Sequence, residues 1–68
     1  MNLRDYLQNR RKAGETTKAW CERNGFRPIS VILVANGHRK AGPELAKKLS
    51  AASGGVVGLS ELRPDLWG

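Results

Sequence analysis

The chain has 68 residues, with twelve Lys/Arg against six Asp/Glu, one His and a formal charge of +6. That length allows one domain, residues 1–68, which buries only about 60% of the surface its unfolded chain exposes, so a bound partner adds to a marginal stability. A single cysteine excludes an intrachain disulfide, the opening MNLRDYLQNRRK lacks the apolar region of a signal peptide, and Val31–Ala35 is far too short an apolar run to span a bilayer, so a cytoplasmic protein without membrane contact is expected.

The charge is uneven. Eleven of the twelve Lys/Arg and four of the six acids precede Leu49, so residues 1–48 carry +7 and the last twenty carry −1. A basic segment of this kind points to a polyanion partner, against the alternative of an evenly solvated surface.

In chain order, Asn2 is placed to cap a first helix, with Asp5 three residues on. Leu3, Tyr6 and Leu7 supply its apolar face and Gly14 ends it. Thr16 caps a second helix from Thr17 to about Asn24, with Trp20 and Cys21 inward. Gly25 then supplies the positive φ of a chain reversal. Pro28 suits the first position of a third helix, 28–36, with Val31 and Val34 inward. Small Cys21 lets that helix approach closely. Thr17–Asn36 therefore has the pattern of a helix-turn-helix, and in so basic a chain that pattern implies a DNA-binding module. ISVILVA, residues 29–35, is also rich in β-branched residues and could form a buried strand, but its only weak partner would be Val56–Val57. A fourth helix is expected over Pro43–Ser53, burying Leu45, Ala46, Leu49 and Ala52, presenting Lys47 and Lys48, and ended by Gly54. In the tail, Val56, Val57, Leu59 and Leu62 are expected to close the core, with Ser60 capping one turn that Pro64 stops.

From Gly25 to Trp67 the chain resembles phage Cro/CI-type regulators of the lambda-repressor-like fold, and within them the YdaS-like antitoxin group. The residues carrying the resemblance are Ala35-Asn36-Gly37 with Arg39-Lys40-Ala41, then Pro43-Glu44-Leu45-Ala46, Gly54-Gly55-Val56-Val57 and Glu61-Leu62-Arg63-Pro64-Asp65-Leu66-Trp67. The opening Met1 to Leu7 fits as well, and residues 8–16 and 26–34 fit least. The resemblance implies a compact all-α domain of four to five helices, sequence-specific binding of double-stranded DNA, and repression of a phage or prophage promoter. It also implies phosphate contacts at Thr17 and Lys18, where a helix start offers free N–H groups. Homodimers would occupy half-sites about 34 Å apart. The chain departs from the family in two ways. Arg27 stands where Ser or Thr usually caps the recognition helix, and Ile29, Ile32 and Leu33, with Asn36 a turn further, replace outward polar residues.

A recognition helix lies in the major groove with its N-terminal residues at base edges. Three explanations of the apolar face compete: contact with thymine methyl groups, a protein interface, as in an antitoxin-like regulator that also binds a protein toxin or a protein-interaction module that has lost DNA binding, or a changed helix with reduced DNA affinity. Arg27, just before Pro28, faces the unfavourable end of the helix dipole and so suits guanine or a phosphate. Asn36 either reads adenine or caps the helix before Gly37. His38, Arg39 and Lys40 form a cationic loop suited to phosphates, as does Arg4 on the first helix. Cys21 and His38 are too few for a metal site, and no catalytic constellation or phosphate-cradling glycine motif is legible. A non-enzyme without cofactor, metal or small-molecule substrate is expected. RNA binding is disfavoured because Tyr6, Trp20 and Phe26 read as core, which leaves only Trp67 for stacking.

Overall fold

A computed structural model describes residues 1–67. Among them are six helices and no strand: α1 (Leu3–Lys12), α2 (Thr17–Asn24), α3 (Pro28–Ala35), α4 (Pro43–Ala52), α5 (Leu59–Leu62) and α6 (Pro64–Trp67). Residues 29–35 are thus helical. Their β-branched side chains are tolerated because the helix starts at Pro28 and packs on α2 and α1, which outweighs local propensity.

The first two caps form as the residue types dictate. Asn2 Oδ1 accepts the Asp5 N–H at 2.8 Å, and Thr16 Oγ1 accepts the Ala19 N–H at 3.1 Å. Gly25 ends α2 at φ 78°, with Phe26 N–H returning to the Cys21 carbonyl. A left-handed residue here redirects the chain within three residues, so that α3 starts at Pro28 against α2.

The core lies where α1, α2, α3 and α4 meet. Trp20, Leu49, Val31, Val57 and Cys21 are fully buried, joined by Leu3, Leu7, Ala41 and Ala46. Tyr6 meets the Trp20 ring edge-on and Phe26 stacks on it, each with centroids 5.7 Å apart, so one indole ties α1, α2 and the turn together. Val34, Leu45 and Ala52 pack half-buried around this centre.

Several details differ from the sequence reading. The third helix stops at Ala35. Asn36 is its C-cap, because Gly37 turns left-handed at φ 78° and the Gly37 and His38 N–H groups bond back to Val34 and Leu33. Leu33 is half-buried rather than outward, since it lies next to the inward row of an eight-residue helix packed on two neighbours. The fourth helix ends at Ala52, with Ser53 as cap. Ser53 is buried; its hydroxyl donates to the Ser50 carbonyl and accepts the Val57 N–H. That bond, with Gly54 and Gly55 both left-handed, aims Val57 inward and leaves Val56 48% exposed. Gly58, not Ser60, precedes α5, and Pro64 opens α6 instead of only stopping α5. The one-turn α6 follows because proline at a first helical position loses no hydrogen bond. The six helices thus exceed the four or five expected by this short C-terminal pair.

Two ionic clusters brace the ends. Glu15 accepts from Arg23 (2.8 and 3.0 Å) and from Arg10 (3.0 Å), joining the end of α1 to α2. Arg63 donates to both Asp65 oxygens and, at 2.7 Å, to the Ala41 carbonyl, tying the tail to the entrance of α4. Arg23 first, with Arg10, holds the Glu15 carboxyl below its ordinary value against the opposing effect of desolvation. Arg63 pushes Asp65 down to about 2. A carboxylate with a depressed folded-state pKa contributes stability above its ordinary pKa and loses it as pH falls through the folded value. Urea unfolding midpoints are therefore expected to drop on acidification from about pH 5 to about pH 3, and less steeply in Glu15→Gln. Equal pH slopes for the two proteins would exclude this role of Glu15.

Candidate nucleic-acid interface

Helix α1 carries Arg4, Gln8 and Arg11 at a helical spacing, one face beside the buried Leu3–Leu7 stripe. Packing of α1 on α2 and α3 sets this face opposite the start of α2 and the outer side of α3. The result is an open groove of about 470 Å³, walled by Arg4, Gln8 and Arg11 from α1, by Thr16, Thr17 and Lys18 from the α2 start, and by Ile32, Ala35 and Asn36 from the α3 end. No acidic side chain lines it. Arg4 and Arg11 form no ion pair among the described residues, and Lys18 only a long exposed one to Glu22 at 3.9 Å, worth little in water. The α2 start also has no acidic residue in its first turn, so its N–H dipoles and Lys18 add to the same positive field.

The expected site residues fall into three groups, with Leu33 apart from them. Thr17 (half-buried), Lys18, Ile32 and Asn36 share the groove with Arg4. Arg27 is exposed before α3, its side chain makes no cap bond, and it borders a second hollow with Phe26, Ser30, Leu45 and Lys48. Pro28 is half-buried beside it, and Ile29 stands 70% exposed on the first turn of α3. His38, Arg39 and Lys40 are exposed on the α3–α4 connection and line neither hollow; Lys40 instead lies near enough to Asp65 to help hold its carboxyl down. Leu33 points partly inward and offers less surface than its neighbours. Arg11 and Gln8 are groove residues that the sequence reading passed over. Their signal was present in the i, i+4, i+7 spacing from Arg4, but only packing shows what that face meets.

Chemically, the site is a cationic groove with hydroxyl and amide donors beside an apolar helix edge. Burial first, and then the Glu22 carboxylate, pushes the Cys21 thiol up, so it stays protonated in the core. Among the described residues no group of three His, Cys, Asp or Glu is placed to hold a metal ion, and no helix is long and apolar enough to cross a membrane.

The described residues thus form a small all-helical domain whose α2–turn–α3 unit is compatible with a helix-turn-helix. A prophage transcriptional regulatory protein of Escherichia coli (strain K12) is 44% identical to the chain over 43 residues, which cover 63% of this chain and 65% of that relative. The match spans slightly less than two thirds of the relative's length. No family model and no solved structure matches the chain.

Proposed function

We propose that the chain is a phage or prophage transcriptional regulator: a single lambda-repressor-like domain, related to the Cro and YdaS-like group, that binds double-stranded DNA and represses a promoter by blocking RNA polymerase. The observation that carries this reading is the acid-free cationic groove at the junction of α1, α2 and α3, beside an exposed helix edge. The regulator similar to this chain supports it. In this reading α3 lies in the major groove, with Arg27, Pro28, Ile29, Ile32 and Asn36 towards the bases and Leu33 at the margin. Arg4, Thr17 and Lys18 hold phosphates along one side. His38, Arg39 and Lys40 meet the backbone beyond the far end of α3. Phosphate contacts set register and base contacts supply sequence preference. Two copies on a palindrome would have half-sites about one helical turn apart. No step of this activity uses a cofactor, a metal or catalysis, and it places the protein in the cytoplasm.

The test is fluorescence anisotropy with a random-sequence duplex library at two salt concentrations, sequencing what stays bound. The expected result is salt-sensitive binding that enriches a palindromic motif. Retention without enrichment would reduce the site to a non-specific basic surface. Absence of binding at low salt would overturn the DNA reading and direct attention to a protein partner for the Ile29–Ile32 edge.

A further inference from the structure

Resting on that DNA-binding reading, we propose that the middle of α3, Ile29 and Ile32, selects DNA by the C5-methyl groups of thymine rather than by a hydrogen-bond code. The side chains exposed along and beside α3 are Arg27, Ile29, Ile32 and Asn36. Ile29, at 70%, is more exposed than any other large hydrophobic side chain of the described residues, and Ile32, one turn later, is 41% exposed. Between Arg27 and Asn36 the one hydrogen-bonding side chain is Ser30, which is half-buried and turned to the second hollow, on the α4 side. The middle of the helix edge therefore offers two branched alkyl groups and no side-chain donor or acceptor.

What such an edge can recognise follows from what surrounds it. The rim is cationic and free of carboxylates on the groove side, which matches a phosphate-walled ligand. Inside the major groove, the apolar group displayed on base edges is the thymine methyl. A cytosine at the same place would set its amino donor against an isoleucine and lose its water, an unpaired polar group that costs affinity. Residues three apart on a helix are separated by about 4.5 Å along its axis, and base pairs by about 3.4 Å. Ile29 and Ile32 can therefore meet methyl groups on neighbouring base pairs. Leu33, half-buried, contributes less. Arg27 and Asn36, at the two ends, are the side chains left for polar base contacts.

The experiment runs the random-duplex selection twice, once with thymine and once with deoxyuridine in its place. The two libraries have the same phosphates and the same hydrogen-bonding edges and differ by the methyl alone. The thymine library is expected to enrich sites with adjacent T·A pairs, and its best site to lose about fourfold in affinity for each contacted methyl removed, as expected for one methyl group returned to water. In Ile29→Ala, which changes an exposed helix position to a better helix former, the thymine-to-deoxyuridine ratio should shrink by about that factor. Equal motifs and affinities from the two libraries would overturn the proposal while leaving the DNA reading intact. Salt-sensitive retention without enrichment in the thymine library would also overturn it. No retention at any salt would remove the DNA reading, and this inference with it.

Discussion

Trp20→Ala is expected to leave the chain unfolded, or nearly so, at room temperature. Trp20 is fully buried and its ring touches both Tyr6 and Phe26, so truncation removes the contact shared by α1, α2 and the turn. Loss of a buried tryptophan side chain costs about 3–5 kcal/mol. A domain of this length has only about 3–10 kcal/mol in total. The indole Nε1–H is buried and finds no hydrogen-bond partner among the described residues, so the ring stabilises through packing and not through that polar group. Trp20→Phe, which keeps an aromatic ring and removes the orphan donor, should therefore fold, with a loss of about 1–2 kcal/mol. Helical circular dichroism during urea unfolding reads both variants without interference from Trp67. A cooperative Trp20→Ala transition less than about 1 kcal/mol below the parent would refute the central role given to this ring.

The second large effect is expected at the groove. The triple variant Arg4→Gln, Arg11→Gln, Lys18→Gln keeps polar, helix-compatible side chains and removes three charges from exposed positions, so folding should be little affected. If each cation neutralises one phosphate, the slope of log K against log salt becomes shallower by about 2.7. At about 0.1 M salt, affinity for any duplex falls by on the order of several hundredfold. The loss should be similar for preferred and random sequences, because phosphate contacts position the protein without reading bases. Lys47→Gln with Lys48→Gln, cations on α4 outside this groove, is the matched control and should change the slope far less. An unchanged slope in the triple variant, measured by anisotropy over a salt series, would rule out the groove as the phosphate site.

The ionic clusters qualify the meaning of the net charge. Arg10 and Arg23 are both committed to Glu15, and Arg63 to Asp65 and the Ala41 carbonyl. The charge excess over residues 1–48 is therefore carried outward mainly by Arg4, Arg11, Lys12, Lys18, Arg27, Arg39, Lys40, Lys47 and Lys48, of which three stand in the groove and one beside the start of α3. A sequence count treats all twelve cations alike; their partners do not.

Local chemistry made much of the architecture legible. Asn2 and Thr16 accept N–H groups three residues on, Gly25 takes the left-handed turn, and Pro28 and Pro43 open their helices, so the first four helices lie within about two residues of where the sequence placed them. Each of these signals is carried by one residue and its immediate neighbours. The tail was read less well. Whether Val56 or Val57 enters the core depends on the Ser53 hydroxyl and two consecutive left-handed glycines, and where the tail lies is tied to Arg63 reaching Ala41, 22 residues away.

The candidate site divides along the same line. By itself, the sequence determined a basic helical chain, a turn at Gly25, and a seven-residue, mostly apolar segment after Pro28, because charge, left-handed backbone and a fixed proline φ are properties of single residues. Only the tertiary structure decided that the Arg4–Gln8–Arg11 face meets the start of α2 and the end of α3, that Leu33 turns partly inward while Ile29 and Ile32 stay out, and that Glu15 pairs with two arginines at the surface. Those outcomes depend on how α1 crosses α2 and α3, which is set by burying Trp20, Val31 and Leu7 together and not by any pattern within one helix.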